Sequence, residues 1–226
     1  MSRALRIGMG MTVGAIVLVG ALAQVFLPKL AASRIRDRVG RYGSVESVSV
    51  SAWPAVKLLW GGADSVTVRA RRLKLDPQQT VKLLREARGV KRMQISIAAA
   101  DEGSLRLSDV SFSKRGSALT AQAEVTSADV RAALPEGFEV KLVKSEAGQV
   151  EVTASGGLFG VGASVHAVAA AREGKLVAHP TGLLGGFQIT LFSNPGVYVE
   201  GVTASVVAGS QAQPHSYLLS MRASLR

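Results

Sequence analysis

From Ile7 to Leu27 the chain reads IGMGMTVGAIVLVGALAQVFL, without a single charged residue. A helix that rises about 1.5 Å per residue needs roughly 20 such residues to cross a bilayer core, so the pattern predicts an N-terminal transmembrane helix. Arg3 and Arg6 precede it and, by the positive-inside tendency, keep the N-terminus cytoplasmic. Two readings share this pattern. As an uncleaved anchor the run has the right length, and Gly10 and Gly14 form a GxxxG pair, a weak sign of helix pairing. As a secretory signal, Ala21-Leu22-Ala23 is a small-residue cleavage site, which would release the rest of the chain. Val25, Phe26 and Leu27 prolong the apolar run past that site and favour the anchor. Either way, residues 28–226 are expected as one extracytoplasmic domain, with 1–27 as cytoplasmic tip and anchor or signal.

Beyond the run, Leu27, Ala31, Ile35 and Val39 recur every fourth position and predict an amphipathic helix from Pro28 to Arg41, with Arg34, Arg38 and Arg41 on another face. It could lie at the headgroup level or pack on the domain. A first strand follows around Val45 to Val50. Trp53, Val56, Leu59 and Trp60 then share one face of a short helix that Gly61-Gly62 stops. That face holds both tryptophans of the protein. It reads either as a core plug at one end of a sheet, the preferred assignment from the sequence, or as a membrane-contacting tip. In Asp64 to Leu75, Val66, Val68 and Ala70 alternate with polar residues, then the phase slips to Leu73 and Leu75, which predicts a β-bulge near Arg71-Arg72. Asp76-Pro77-Gln78-Gln79 opens a helix that Gly89 ends. Alternation then predicts strands over 90–98, 104–113, 118–125, 138–143, 149–154, 161–170, 175–178, 187–192, 197–207 and 217–225. Thr126, with Asp129 three residues on, caps one interrupting helix, and Gly116 and Gly148 mark hairpin loops. The fold class is therefore α+β: an N-terminal transmembrane helix, then a mainly antiparallel sheet with a few amphipathic helices.

Composition changes the picture in two ways. The chain has no cysteine, so neither disulfides nor thiol chemistry is available, and aromatics are 5%, which leaves Ala, Val, Leu and Gly to fill the interior. The net charge of +11 is lopsided: up to Arg92 there are 17 Lys and Arg against five Asp and Glu, and beyond it 10 against 11. A basic patch beside a bilayer draws anionic headgroups, and Arg69, Arg71, Arg72 and Lys74 are the densest part of it. Nucleic acid is the usual other partner for such charge, and the extracytoplasmic location argues against it.

Catalytic patterns are missing. His166, His179 and His215 lack ligand spacing, and no GxSxG, HExxH, phosphate-loop or paired-carboxylate motif occurs. Gly160-Val161-Gly162 has neither the third glycine nor the helix a phosphate loop needs. No metal, cofactor or enzymatic activity is expected.

Several stretches, in order and spacing, resemble the LmeA family of actinobacterial envelope phospholipid-binding proteins. They are 27–35 after the anchor, 48–54 with Leu58-Leu59-Trp60-Gly61, 63–68, 124–130 and Gly174-Lys175-Leu176-Val177-Ala178-His179-Pro180. The 76–89 helix and the tail after Gly182 fit less well. The resemblance implies a curved antiparallel sheet wrapped on helices, similar to half of a tubular lipid-binding module. It implies a phospholipid or glycolipid partner at a membrane, and it supplies no catalytic residue. Protein partners stay open. A structural or adaptor domain of the envelope, with a dry core and no lipid, is the alternative from another class.

Overall fold

The computed structural model describes residues 23–74, 87–102, 105–133, 138–158, 161–181, 188–207 and 216–226. Most of the apolar run, 7–22, lies outside them, as do 75–86 of the capped helix that was expected from Asp76. No helix among the described residues is long and apolar enough to cross a membrane.

The first described element is helix α1, residues 23–40, which runs unbroken through Pro28 rather than starting there. Proline costs the helix one N–H donor, that of residue 28 to the Gln24 carbonyl. The stripe expected of α1 is real, and it packs on the domain. Ala31, Ala32 and Ile35 rest on Val50, Ala63, Val66, Val68 and Val90, and Val39 rests on Ala70, Leu73, Ile97 and Ala100. Because that face is already covered by sheet, the headgroup-level orientation of α1 is set aside.

Twelve strands follow among the described residues: β1 Gly43–Ser51, β2 Ala63–Lys74, β3 Val90–Glu102, β4 Leu105–Arg115, β5 Ala118–Thr126, β6 Phe138–Glu146, β7 Gln149–Leu158, β8 Val161–Arg172, β9 Lys175–Pro180, β10 Ile189–Phe192, β11 Val197–Val207 and β12 Ser216–Leu225. They form two sheets where the sequence suggested one. Seven strands are ordered β1-β2-β3-β4-β5-β12-β11, and five are ordered β10-β9-β8-β7-β6. The pairing is antiparallel throughout except between β2 and β3, which are parallel. A parallel pair needs a crossover of about a dozen residues, and the segment between Lys74 and Val90 supplies it. Helix α2, Ser127–Ala133, opens as expected: the Asp129 N–H donates to Thr126 Oγ1 at 3.1 Å, and the Thr126 hydroxyl donates to the Asp129 carboxylate at 2.6 Å.

Side-chain alternation sorts the seven-stranded sheet into two unlike faces. One register row reads Val48, Val68, Ile95, Phe112, Ala121, Met221 and Val202, and the neighbouring row on that face reads Val45, Ala70, Ile97, Val110, then Ala123, Leu219 and Ala204. The opposite face reads Ser47, Arg69, Ser96, Ser111, Gln122, Ser220 and Thr203. The expected bulge is present: Ser44 pairs with Arg72 and Val45 with Ala70, so Arg71 is the extra residue and both Ala70 and Leu73 stay buried.

The second sheet meets the first end-on. Its hairpin turns satisfy the open edge of β11: the Val199 N–H donates to the Gly174 carbonyl at 2.9 Å and the Val202 N–H to the Gly148 carbonyl at 3.1 Å. The Ala204 N–H donates to Ser145 Oγ at 2.8 Å. An edge capped in this way no longer templates pairing with another chain. Gly174, at φ +76°, lies under the Tyr198 ring, and on the Tyr198 ring sits the Arg226 guanidinium, 4.1 Å from the centroid.

Candidate functional site

Two surfaces carry the chemistry. The first is the apolar face of the seven-stranded sheet. Under α1 its residues are buried, and the buried clusters lie on either side of a strip with no fully buried member. That strip is Val110, Phe112, Ala121, Ala123, Leu219, Met221 and Val202, all half-buried. Strands about 4.8 Å apart make it broad and shallow, and its two alanines leave room at the centre. The five-stranded sheet has a similar half-buried face, built from Val140, Leu142, Val152, Ala154, Val165, Ala167, Ala169 and Ala178. Small and branched side chains in such rows offer hydrocarbon contact without a fixed polar partner, which suits a ligand recognised by its apolar body.

The second surface is the turn between β1 and β2. Pro54, in extended backbone and with a cis bond to Trp53, leads into a 3-10 helix, Ala55–Trp60, which Gly61 ends in left-handed conformation. In 3-10 geometry residues three apart eclipse, so Val56 and Leu59 line up, while Trp53 precedes the helix. They do not plug the sheet. Trp53 is 72% exposed, Leu59 67% and Trp60 78%, with Val56 less so, and within the 3-10 helix Ala55 alone is buried. The plug assignment fails because Ala55, with Ala52 beside it, takes the inward position and turns the larger side chains out.

The turn is held at both ends. Gln24 of α1 grips it with its side-chain amide, donating to the Ala52 carbonyl at 2.9 Å and accepting the Ala55 N–H at 2.8 Å. Asp64 accepts the Trp53 N–H at 2.6 Å and stands 3.1 Å from Lys91 and 3.7 Å from Lys57, whose amine also donates to the Trp53 carbonyl. The Trp53 N–H, followed by the Lys91 and Lys57 ammonium groups, holds the Asp64 carboxyl below its ordinary value. A group lowered in this way steadies the turn above the ordinary aspartate value of 3.8 and releases it as pH falls through the lowered one. Asp64→Asn is therefore expected to loosen the turn already at neutral pH, seen as lower tryptophan fluorescence anisotropy. Wild type should show the same loss only below about pH 4.

Gln24 lies at the C-terminal end of the apolar run, and beside it on α1 Val25, Phe26 and Leu30 are each more than half exposed. The sequence hid this arrangement, since nothing in it joins residue 24 to residues 52 and 55.

The basic residues fall elsewhere. Arg69, Arg71, Arg72 and Lys74 are all exposed, and they run from the middle of β2 to its far end from the tryptophans, roughly 16 to 33 Å from Asp64 at about 3.3 Å per residue. Two have acidic partners: Arg71 is 2.6 Å from Glu46, and Arg72 is 3.8 Å from Asp101. The structure does not bring these four together with the tryptophan turn. Of the histidines, His166 pairs with Thr153 at 3.1 Å on the polar side of the second sheet, and His215 lies outside the described residues. No three His, Asp or Glu side chains gather at metal-binding distance among the described residues.

The profile of the LmeA-like phospholipid-binding family matches residues 18–206. The chain belongs to that family. No curated protein and no solved structure matches it. The match of the LmeA-like family covers α1, the tryptophan turn and the strands up to residue 206 of β11, so the turn lies within it, and of the apolar strip all but Leu219 and Met221 of β12. Membership makes lipid binding the family trait to account for, and the half-buried strips are where this member offers hydrocarbon.

Proposed function

We propose that this protein is a non-catalytic, extracytoplasmic phospholipid-binding or lipid-transfer protein, held at the cell membrane by its N-terminal apolar run. The observation that carries the reading is the half-buried apolar strip around Ala121, Ala123 and Met221, in a chain of the LmeA-like family. A dry structural core would cover that strip with side chains as it does under α1. The tryptophan turn supports membrane proximity. The run 7–27 leads directly into α1, and the Gln24 clamp sets Trp53 and Trp60 beside the point where α1 emerges from it. Indole rings favour that boundary. The tip, not the arginines of β2, is the membrane contact in this account. A glycolipid is accommodated equally well by the hydrocarbon strip, and a bilayer-facing role leaves nucleic acid without a place.

Transfer of a fluorescent phospholipid from donor to acceptor vesicles tests the function. Wild-type protein should accelerate it, and Trp53→Ala with Trp60→Ala should slow it at least about tenfold. Each indole buries roughly half of its 200 Å² at an interface, about 2 kcal/mol. Because both rings are exposed in the free protein, the double variant should melt within a few degrees of wild type. No acceleration by wild type would refute the transfer function.

A further inference from the structure

One residue interrupts the apolar face of the seven-stranded sheet. The register row at the end nearest the tryptophan turn reads Val50, Val66, Met93, Lys114, Leu119, Ala223 and Val199. Lys114 is 2% exposed, and it is the one charged side chain that is buried among the described residues. Its amine donates to the Val90 carbonyl and has no carboxylate partner among them. A carbonyl is a neutral acceptor, so an ammonium here keeps two further N–H donors and an uncompensated charge. Burial alone pushes the amine below the ordinary lysine value. For stability, methionine or leucine would serve the row better, since a buried charge without a counter-charge is costly.

We propose that Lys114 is a phosphate-binding residue, the point where the phosphodiester of a bound phospholipid meets the protein while its acyl chains lie along the strip of Phe112, Ala121, Ala123, Leu219 and Met221. This rests on the lipid-binding reading above. Phe112 and its row are two residues further along the strands, about 7 Å from the Lys114 row, so tails on the strip bring the head of the same molecule to the amine. The anion supplies the missing counter-charge, and the head then faces the end of the sheet that carries the membrane-facing turn. Diacyl lipids without phosphate would bind by their chains and leave the amine unpaired.

The test is a native mass-spectrometric competition on delipidated full-length protein. The probes are phosphatidylglycerol, the diacylglycerol with the same chains, and inorganic phosphate. Wild type should retain phosphatidylglycerol over diacylglycerol by at least about tenfold, as a charge-assisted bond in a dry site predicts. Lys114→Met should lose that preference and keep diacylglycerol, and Lys114→Arg should keep much of the preference. Should the methionine variant fail to fold, Lys114→Gln is read in its place. An unchanged preference in Lys114→Met or Lys114→Gln overturns the assignment while leaving lipid binding intact. Binding of neither lipid to wild type overturns the lipid reading and this inference with it. Phosphate bound by wild type and lost in the variant, without any preference between the lipids, assigns the site to the free anion and overturns the headgroup role.

Discussion

Replacing Ala121 and Ala123 with tryptophan is expected to abolish lipid retention and leave the fold standing. Both alanines are half-buried on β5, with Ala121 between Phe112 and Met221 and Ala123 beside Leu219. A tryptophan at each would fill the middle of the strip with protein and take the surface an acyl chain needs. In a close-packed core, such a change forces strain of about 1–3 kcal/mol per site. Here both positions are only half-buried, so the rings should be taken up with little loss of melting temperature. Retained lipid should fall by more than about tenfold, because displaced hydrocarbon contact is worth about 25 cal/mol per Å². Undiminished lipid in a folded double variant would place the ligand elsewhere.

Gly174→Ala should destabilise the protein strongly, through the junction of the two sheets. Gly174 sits at φ +76° in the β8–β9 turn, and an added Cβ would stand 2.3 Å from Tyr198 Cδ2. Moving the ring disturbs both the Arg226 stack and the Val199-to-Gly174 hydrogen bond that seats the second sheet on β11. Strained backbone and overpacking together cost about 2–4 kcal/mol, a melting-point drop of roughly 5–15 °C for a chain of this length. Gly116→Ala is the control. It has a similar φ of +61° with nothing near the added carbon, and should cost about 1 kcal/mol or less. Equal losses in the two variants would show that the sheet junction contributes nothing beyond turn strain.

Much of this was legible in the sequence, and the boundary of legibility has a physical cause. Alternation reports which way a side chain points, so the strands, the Arg71 bulge and the opposed faces could be read from local pattern. So could the stripe on α1 and the Thr126–Asp129 cap. Which strands pair is decided by contacts between distant residues, so the division into two sheets and the parallel β2–β3 pair were not visible. The tryptophan turn shows the same limit. A short helix stopped by Gly61 was readable, but Trp53 lies before it, and the choice between plug and tip depended on Ala52 and Ala55 taking the inward positions. Lys114 fell just outside the strand expected over 104–113, in the hairpin loop around Gly116. The signal against that was phase, since Val110, Phe112 and Lys114 alternate with Ser111 and Ser113. The four basic residues of β2 were legible as a charge cluster, but their distance from the tryptophan turn and the partners of Arg71 and Arg72 depend on strand pairing and were not.

The central claim is that this chain holds a lipid on its half-buried strips. Native mass spectrometry of the full-length protein, purified without added lipid, tests it most directly. The account predicts a discrete added mass in the phospholipid or glycolipid range, lost on organic extraction and diminished in the Ala121 and Ala123 tryptophan variant. A folded protein of bare polypeptide mass, which takes up no lipid from offered vesicles, would contradict it.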